Sequence, residues 1–230
     1  MRLLDLLDLL PLTVLGAVLG LDTVSFPQAM VSRPIVAATL AGALIGHAPG
    51  GLVAGIILEL IALETLPFGA SRYPEWGSAS VVGGAMYAAA PNGAHGALAA
   101  AVLTALGIAW LGGSSMVWLR RLNARWARNK LAGLERGSRG TVVGLQLAGL
   151  TADLVRGGLL TFIALALTRT LGAQAVRLWS VDGRLTRAIV VGIAATVAAG
   201  AVWKIFHTTS AARWYMLAGL GLGFAILALR

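Results

Sequence analysis

Long apolar stretches separated by short polar ones run along the whole chain, and charged residues or Pro and Gly delimit eight of them. They cover residues 9–26, 34–48, 50–66, 76–90, 94–119, 140–168, 188–204 and 213–229. A membrane-spanning helix needs about 20 mostly apolar residues. Residues 94–119 and 140–168 are long enough to span a bilayer with some tilt. The pattern predicts an all-α polytopic membrane protein with about six to eight membrane segments.

Two of the apolar segments are short and end at turn residues. Residues 34–48 end at His47-Ala48-Pro49-Gly50-Gly51, and residues 76–90 end at Pro91-Asn92-Gly93. Irregular backbone at membrane depth is tolerated only where protein or a watery cavity satisfies its polar groups. Secondary transporters place their substrates at such broken segments. We therefore expect re-entrant hairpins within residues 9–90, which we interpret as the substrate-site region.

Composition supports a membrane protein and excludes thiol chemistry. Of the 230 residues, 58% are hydrophobic and 12% are charged, whereas a soluble domain carries about 25% charged residues. Glycine occurs 30 times, which is typical of helices that pack closely in lipid. The chain has no cysteine, so disulfides, thiol catalysis and cysteine-bound metals are excluded.

The net charge of +9 is concentrated in one segment. Residues 120–139 contain seven Arg or Lys side chains and only one acid, an excess typical of a cytoplasmic loop, so we expect no nucleic-acid partner. Arginines alternate with apolar residues over 172–187, which predicts an interfacial segment. We interpret residues 1–230 as a single transmembrane domain. Its parts are a hairpin-rich region (9–90), a long span (94–119), a basic loop (120–139) and C-terminal spans (140–229).

Ionisable residues inside apolar segments are functional candidates, because each costs about 2.5 to 3.5 kcal/mol at the membrane centre. Asp153 and Arg156 are three residues apart, which predicts an ion pair on one helix face. Glu59 lies in a long apolar run without a charged neighbour in sequence. Two interpretations of Glu59 stay open. In the structural one, Glu59 forms an ion pair with Arg33 or a hydrogen bond to the hairpin backbone. In the functional one, it accepts hydrogen bonds from sugar hydroxyls. The amide of Gln28 is also suited to sugar hydroxyls because it both donates and accepts.

Residue patterns of enzymes are nearly absent. The three histidines, His47, His95 and His207, match no metal-binding spacing, and neither a GxSxG motif nor a P-loop is found. The sequence therefore predicts no catalytic residue, no metal site and no cofactor. An intramembrane enzyme is kept as a further alternative.

Several motifs in the first 90 residues resemble one transporter family. They are Asp22 to Gln28 (DTVSFPQ), Ser32 to Gly42 (SRPIVAATLAG), Leu58-Glu59-Leu60, Leu66 to Ala70 (LPFGA) and Pro74-Glu75. In this order they resemble the IIC membrane subunit of the mannose/fructose/sorbose family of the bacterial phosphotransferase system. The strongest match covers residues 14 to 90.

The resemblance implies a sugar permease subunit in the bacterial cytoplasmic (inner) membrane. It implies that the chain works with a IID membrane subunit, while cytoplasmic IIA and IIB proteins pass phosphate to the sugar and this chain carries no phosphorylated residue. An oligomer within the lipid bilayer is expected. The resemblance also assigns residues: Asp22, Gln28, Glu59 and Ser71 as sugar ligands, and Arg33, Pro34 and Gly69 as residues that shape the hairpin.

Two positions depart from the family pattern. The family usually has Gly-Asp where this chain has Gly46-His47, and Leu-Gly where it has Leu63-Glu64. A carboxylate is thus replaced by His47 while Glu64 is added, and the roles of both residues stay open. The departures keep a second hypothesis in place: a non-transporting regulatory or sensory component of an incomplete phosphotransferase system.

Overall fold

All regular structure in the described residues is helical. The computed structural model describes residues 7–65, 73–91 and 94–229. The α-helices within these ranges are α1 (Leu10–Asp22), α2 (Pro34–Leu44), α3 (Ala48–Ala62), α4 (Trp76–Ala88), α5 (Ala97–Asn129), α6 (Leu131–Glu135), α7 (Arg139–Leu167), α8 (Ala173–Arg177), α9 (Gly183–Phe206) and α10 (Ala212–Ala228). A 3-10 turn (Leu63–Thr65) follows α3, and a π turn (Thr168–Gly172) joins α7 to α8. The predicted all-α class is confirmed.

Four helical stretches are long and apolar enough to cross a membrane. They are Ala48–Thr65, Ala97–Asn129, Arg139–Arg177 and Gly183–Phe206, while α1, α2 and most of α10 are apolar but shorter. The two long spans predicted at 94–119 and 140–168 are therefore present. Residues 120–129 differ from the prediction because they continue α5 as helix instead of forming a loop. They contain neither Pro nor Gly and are rich in Arg and Ala, which favour helix.

Helices α2 and α3 form a tightly packed helical hairpin. The chain reverses at residues 45–47, where Gly46 has a φ of +83°, a conformation that glycine adopts without steric cost. Close approach also requires Gly51: a Cβ atom there would lie 2.2 Å from the carbonyl oxygen of Ala38. The predicted turn near His47 is thus observed, and the re-entrant path of this hairpin stays a prediction.

Helix α4 lies at the centre of the bundle, where eleven of its thirteen residues are buried. It packs against α1, α2, α3, α5 and α7. Small residues permit this, since a Cβ atom on Gly84 would lie 2.6 Å from the Cα atom of Ala38. Most of segment 76–90 therefore forms a single, largely buried helix, Trp76–Ala88, and its re-entrant path stays a prediction.

The C-terminal elements lie at the periphery. Helix α7 packs along α1, and α9 packs against α3, the 3-10 turn and α5, but none of the described side chains of α10 is buried. The predicted interfacial segment 172–187 is divided between α8 and the start of α9. Asp182 causes the division, because its Oδ1 atom accepts from the backbone N–H groups of Arg184 (2.8 Å) and Leu185 (3.1 Å) and so begins a new helix.

Candidate functional site

The segment between α1 and α2, residues 23–33 and hereafter loop 23–33, is the longest irregular stretch between residues 7 and 65. Gln28 and Met30 adopt left-handed backbone conformations, with φ values of 60° and 61°, which non-glycine residues rarely adopt unless the surroundings enforce them. Three carboxylates from three different helices contact this loop: Asp22, Glu59 and Asp153. Asp22 supplies polar partners to the irregular backbone of the loop, as such backbone needs among apolar helices. Glu59 and Asp153 bind the side chains of Arg33 and Ser25.

Asp22 closes the loop on itself. Its side chain is 2% exposed; its Oδ1 atom accepts from the backbone N–H of Ala29 (2.7 Å) and its Oδ2 atom from that of Ser32 (2.9 Å). Both oxygens are therefore used within the chain. Loop closure is the role that the geometry displays, and direct contact between Asp22 and sugar stays a prediction.

Glu59 joins the α2–α3 hairpin to the end of the loop. Its Oε1 atom forms an ion pair with Arg33, accepting from Nε (2.7 Å) and Nη2. Its Oε2 atom accepts from the backbone N–H of Ile35 (3.2 Å), one of the first amides of α2 that lack partners within the helix. Of the two open interpretations of Glu59, the ion pair with Arg33 and the bond to hairpin backbone are observed. The two side chains remain 20% and 22% exposed, so the pair is accessible from outside, and sugar binding there stays a prediction.

Asp153 and Arg156 hold the loop against α5 and α7. The predicted ion pair is confirmed, with Arg156 Nε donating to Asp153 Oδ1 at 2.9 Å. The hydroxyl of Ser25 donates to Asp153 Oδ2, and Arg156 Nη1 donates to the hydroxyl of Ser115 at 3.0 Å. Since Asp153 is fully buried, this charge is compensated entirely by protein groups.

Glu75 is a further buried carboxylate, which sequence reasoning did not single out as a site residue. It precedes α4, and its Oε1 atom accepts from the backbone N–H of Ser78 at 3.0 Å. Its Oε2 atom is buried without a hydrogen-bond partner among the described residues, and it lies beside Gly112, where an added Cβ atom would be 3.1 Å away. The available signal was its position directly before an apolar run, where a helix begins.

The remaining residues assigned to the hairpin and the substrate differ in position. Gln28 is exposed, and its Nε2 atom donates to the carbonyl of Val24 at 2.7 Å. Pro34 is buried and opens α2 at a position where its missing N–H costs nothing. Ser71 and Gly69 lie outside the described residues.

His47 and Glu64 lie away from loop 23–33, beyond opposite ends of α3. His47 lines a cavity of about 420 Å³ together with Tyr87, His95, Asp182 and Arg187. In that cavity, hydrogen bonds from backbone N–H groups of α9 lower the pKa of the Asp182 carboxyl. Glu64 Oε1 lies 3.0 Å from Lys204 Nζ of α9. The two departures from the family pattern therefore affect separate contacts.

Comparisons with known proteins agree with this architecture. The family described as "PTS system sorbose-specific IIC component" matches residues 6–182. The "Fructose permease IIC component" of Bacillus subtilis (strain 168) is 31% identical over 99 residues, which is 43% of this chain and 36% of that protein. The matched stretch thus spans about a third of the length of that relative.

Two solved structures share the fold. One, described as "Structure of membrane protein", has a TM-score of 0.75 at 18% identity and covers 97% of this chain and 94% of its own. The other, a cryo-EM structure of the mannose transporter ManYZ in complex with microcin E492 (MceA), has a TM-score of 0.63 at 18% identity, covering 97% of this chain and 87% of its own. Because the family match extends over most of the chain, this multi-pass membrane protein belongs to the sorbose-specific IIC permease component family of the phosphotransferase system.

Proposed function

We propose that the chain is the sugar-translocating IIC subunit of a mannose-family phosphotransferase system in the bacterial cytoplasmic membrane. A IID subunit completes the translocation path, and cytoplasmic IIA and IIB proteins phosphorylate the sugar. The observation that carries the proposal is loop 23–33, an irregular segment anchored by carboxylates of α1, α3 and α7. Similarity to a fructose permease component and to a mannose transporter supports the substrate class.

The depth of the anchors favours a substrate site inside the membrane. Asp153 is the middle residue of α7 (Arg139–Leu167), a helix long enough to span the bilayer. Loop 23–33, which contacts Asp153 through Ser25, therefore lies within the length of a spanning helix and not at its ends. Transporters of other families bind substrates at such broken segments near the midplane.

The accessible polar groups at the loop suit sugar hydroxyls. Gln28 is exposed, and Arg33 and Glu59 are partly exposed, so a sugar at this face meets an amide, a guanidinium and a carboxylate. Together these groups supply both donors and acceptors, which hydroxyls require. Asp22 and Asp153 hold the backbone beneath them, as a site with fixed geometry needs. Ser71 is proposed as an additional ligand.

The exposed apolar side chains of the loop offer a contact surface for the IID subunit. Phe26 and Met30 are 66% and 69% exposed. They flank the polar groups of the proposed site, and water must be excluded from that site for sugar to bind selectively. A second membrane subunit covering Phe26 and Met30 closes the site on that side. The partner subunit therefore completes the proposed site.

The test is uptake in membrane vesicles containing the chain, its IID partner and the phosphate-donating proteins. We expect sugar phosphate to accumulate for at least one hexose or hexosamine. Glu59→Gln should reduce the uptake rate at least tenfold, because it removes a charge that holds Arg33 and faces the sugar. Glu64→Gln is the matched control, since Glu64 pairs with Lys204 outside the loop. The amount of each variant in the membrane is measured in parallel, and wild-type uptake by Glu59→Gln would remove Glu59 from the site.

A regulatory component is the second candidate, favoured by the replacement of the usual aspartate by His47 and by the added Glu64. The same vesicles discriminate between the two functions. If no hexose or hexosamine accumulates although the partner and the phosphate donors are present, the regulatory function replaces transport.

A further inference from the structure

A groove between α5 and α7 lies outside the sugar site. Its volume is about 650 Å³, and its walls are formed by one face of each helix. Trp118, Leu122, Val155 and Leu159 provide apolar lining and are between 38% and 69% exposed. The groove is therefore open along the surface of the bundle.

The length of the groove matches one leaflet of a bilayer. Its lining on α5 runs from Ser115 to Arg125, and the ten steps between these two residues rise about 15 Å along a helix axis. The hydrocarbon core of a bilayer is about 30 Å thick, so one leaflet contributes about 15 Å. An acyl chain lying in the groove would extend over the depth of a single leaflet.

Three arginines provide the positive charge of the groove, and they differ in position and pairing. Arg121 and Arg125 lie at the end that leads into the basic segment 120–139 and form no ion pair in the described part of the chain, whereas Arg156 at the other end is paired with Asp153. None of the described residues that line the groove is acidic.

An aromatic ring accompanies the two unpaired cations. The guanidinium of Arg121 lies 5.5 Å from the ring centroid of Trp118. Tryptophan and arginine together are typical of the level of the lipid headgroups. This end of the groove therefore fits the headgroup region of one leaflet.

We infer that this groove binds an anionic phospholipid of the phosphatidylglycerol or cardiolipin class. The headgroup phosphate lies between Arg121 and Arg125, and an acyl chain follows Val155 and Leu159 toward the membrane centre. Basic pockets between membrane helices on the cytoplasmic side bind such headgroups. A zwitterionic lipid fits the apolar part equally well but offers no net charge to the two arginines. A purely apolar helix of a partner subunit fits the apolar walls but leaves both charges unmatched.

Native mass spectrometry of the full chain in detergent tests this inference by comparing phosphatidylglycerol with phosphatidylcholine of the same acyl chains. We expect at least a tenfold preference for phosphatidylglycerol in the wild type and loss of that preference in the double variant R121Q/R125Q. The matched control is R128Q/R139Q, which removes the same charge from exposed positions of the same two helices outside the groove. A preference retained by R121Q/R125Q, or lost equally in the control, would overturn the inference.

A second measurement locates the lipid without any arginine substitution. Photoactivatable phosphatidylglycerol is crosslinked to the wild-type chain in vesicles, alone and together with its membrane partner. Crosslinks on peptides containing Trp118 or Leu159 in both samples support the lipid site. Crosslinks elsewhere, or their disappearance when the partner is added, would contradict it, the latter because the groove would then be an interface with the partner.

Discussion

The helices around loop 23–33 and the two C-terminal helices are similarly apolar in sequence, but they differ in the charged side chains they carry and in how many residues they bury. Helices α1, α3 and α7 surround the carboxylates of Asp22, Glu59 and Asp153, and α4 is almost entirely enclosed. Helix α9 buries only four residues, each of them Thr or Ala, and α10 none of its described side chains. Apolar composition therefore identifies membrane helices but does not show which of them build the site.

The family match follows the same division. It ends at residue 182, immediately before α9 begins at Gly183. The part shared with the family is thus the part that encloses loop 23–33. We expect substitutions in that part to lower the stability of the protein strongly and equivalent substitutions in α9 and α10 to lower it only slightly.

The largest effect is expected from Asp153→Asn. It removes the carboxylate that lies at ion-pair distance from the buried guanidinium of Arg156 and weakens the bond to Ser25, so stability should fall by about 3 to 5 kcal/mol. The midpoint of thermal unfolding in detergent measures this, and D153N/R156Q should recover part of the loss. The control is Lys204→Gln on α9, which breaks an exposed ion pair with Glu64 of the 3-10 turn. Such a pair contributes about 1 kcal/mol or less to stability. Equal midpoints for the two single variants would break the distinction between the regions.

A smaller effect is expected from Gly51→Ala. The added Cβ atom would lie 2.2 Å from the carbonyl oxygen of Ala38 and 3.0 Å from the Cα atom of Gly42, so α2 and α3 must separate, at a cost of about 1 to 3 kcal/mol. Gly219→Ala on α10 is the matched control, because no atom lies within 4 Å of the added Cβ there and Ala favours helix. The same melting measurement should show a lower midpoint for G51A only. A G219A variant that is equally destabilised would mean that α10 packs as closely as α2 and α3.

The elements that sequence reasoning predicted correctly depend on local spacing. The ion pair of Asp153 with Arg156 follows from a separation of three residues, and the turn near His47 follows from Pro and Gly. The long spans α5 and α7 follow from uninterrupted apolar stretches. Each of these signals lies within one element, so no knowledge of packing is needed to read it.

Apart from the pair of Glu59 with Arg33, which was one of two open interpretations, contacts between distant elements could not be predicted in this way. Ser25 and Asp153 are 128 residues apart, and spacing along the chain contains no information about their contact. Asp22 bonds to Ala29 and Ser32 only because the intervening loop adopts left-handed conformations at Gln28 and Met30. The buried position of Glu75 likewise depends on how α4 and α5 pack. The sequence therefore indicated the charged residues of the site but not which of them serve as anchors.

The central claim is that loop 23–33 lines a water-accessible path for sugar. Because the chain contains no cysteine, a single Val31→Cys substitution on the loop can be labelled with a maleimide without background from the chain itself. Thr209→Cys between α9 and α10 serves as the control. We predict that the V31C variant reacts in membranes containing the IID partner and that saturating transported sugar slows its labelling at least threefold, while labelling of the T209C variant is unchanged. A V31C variant that does not react, or that reacts at the same rate with and without sugar, would contradict the account.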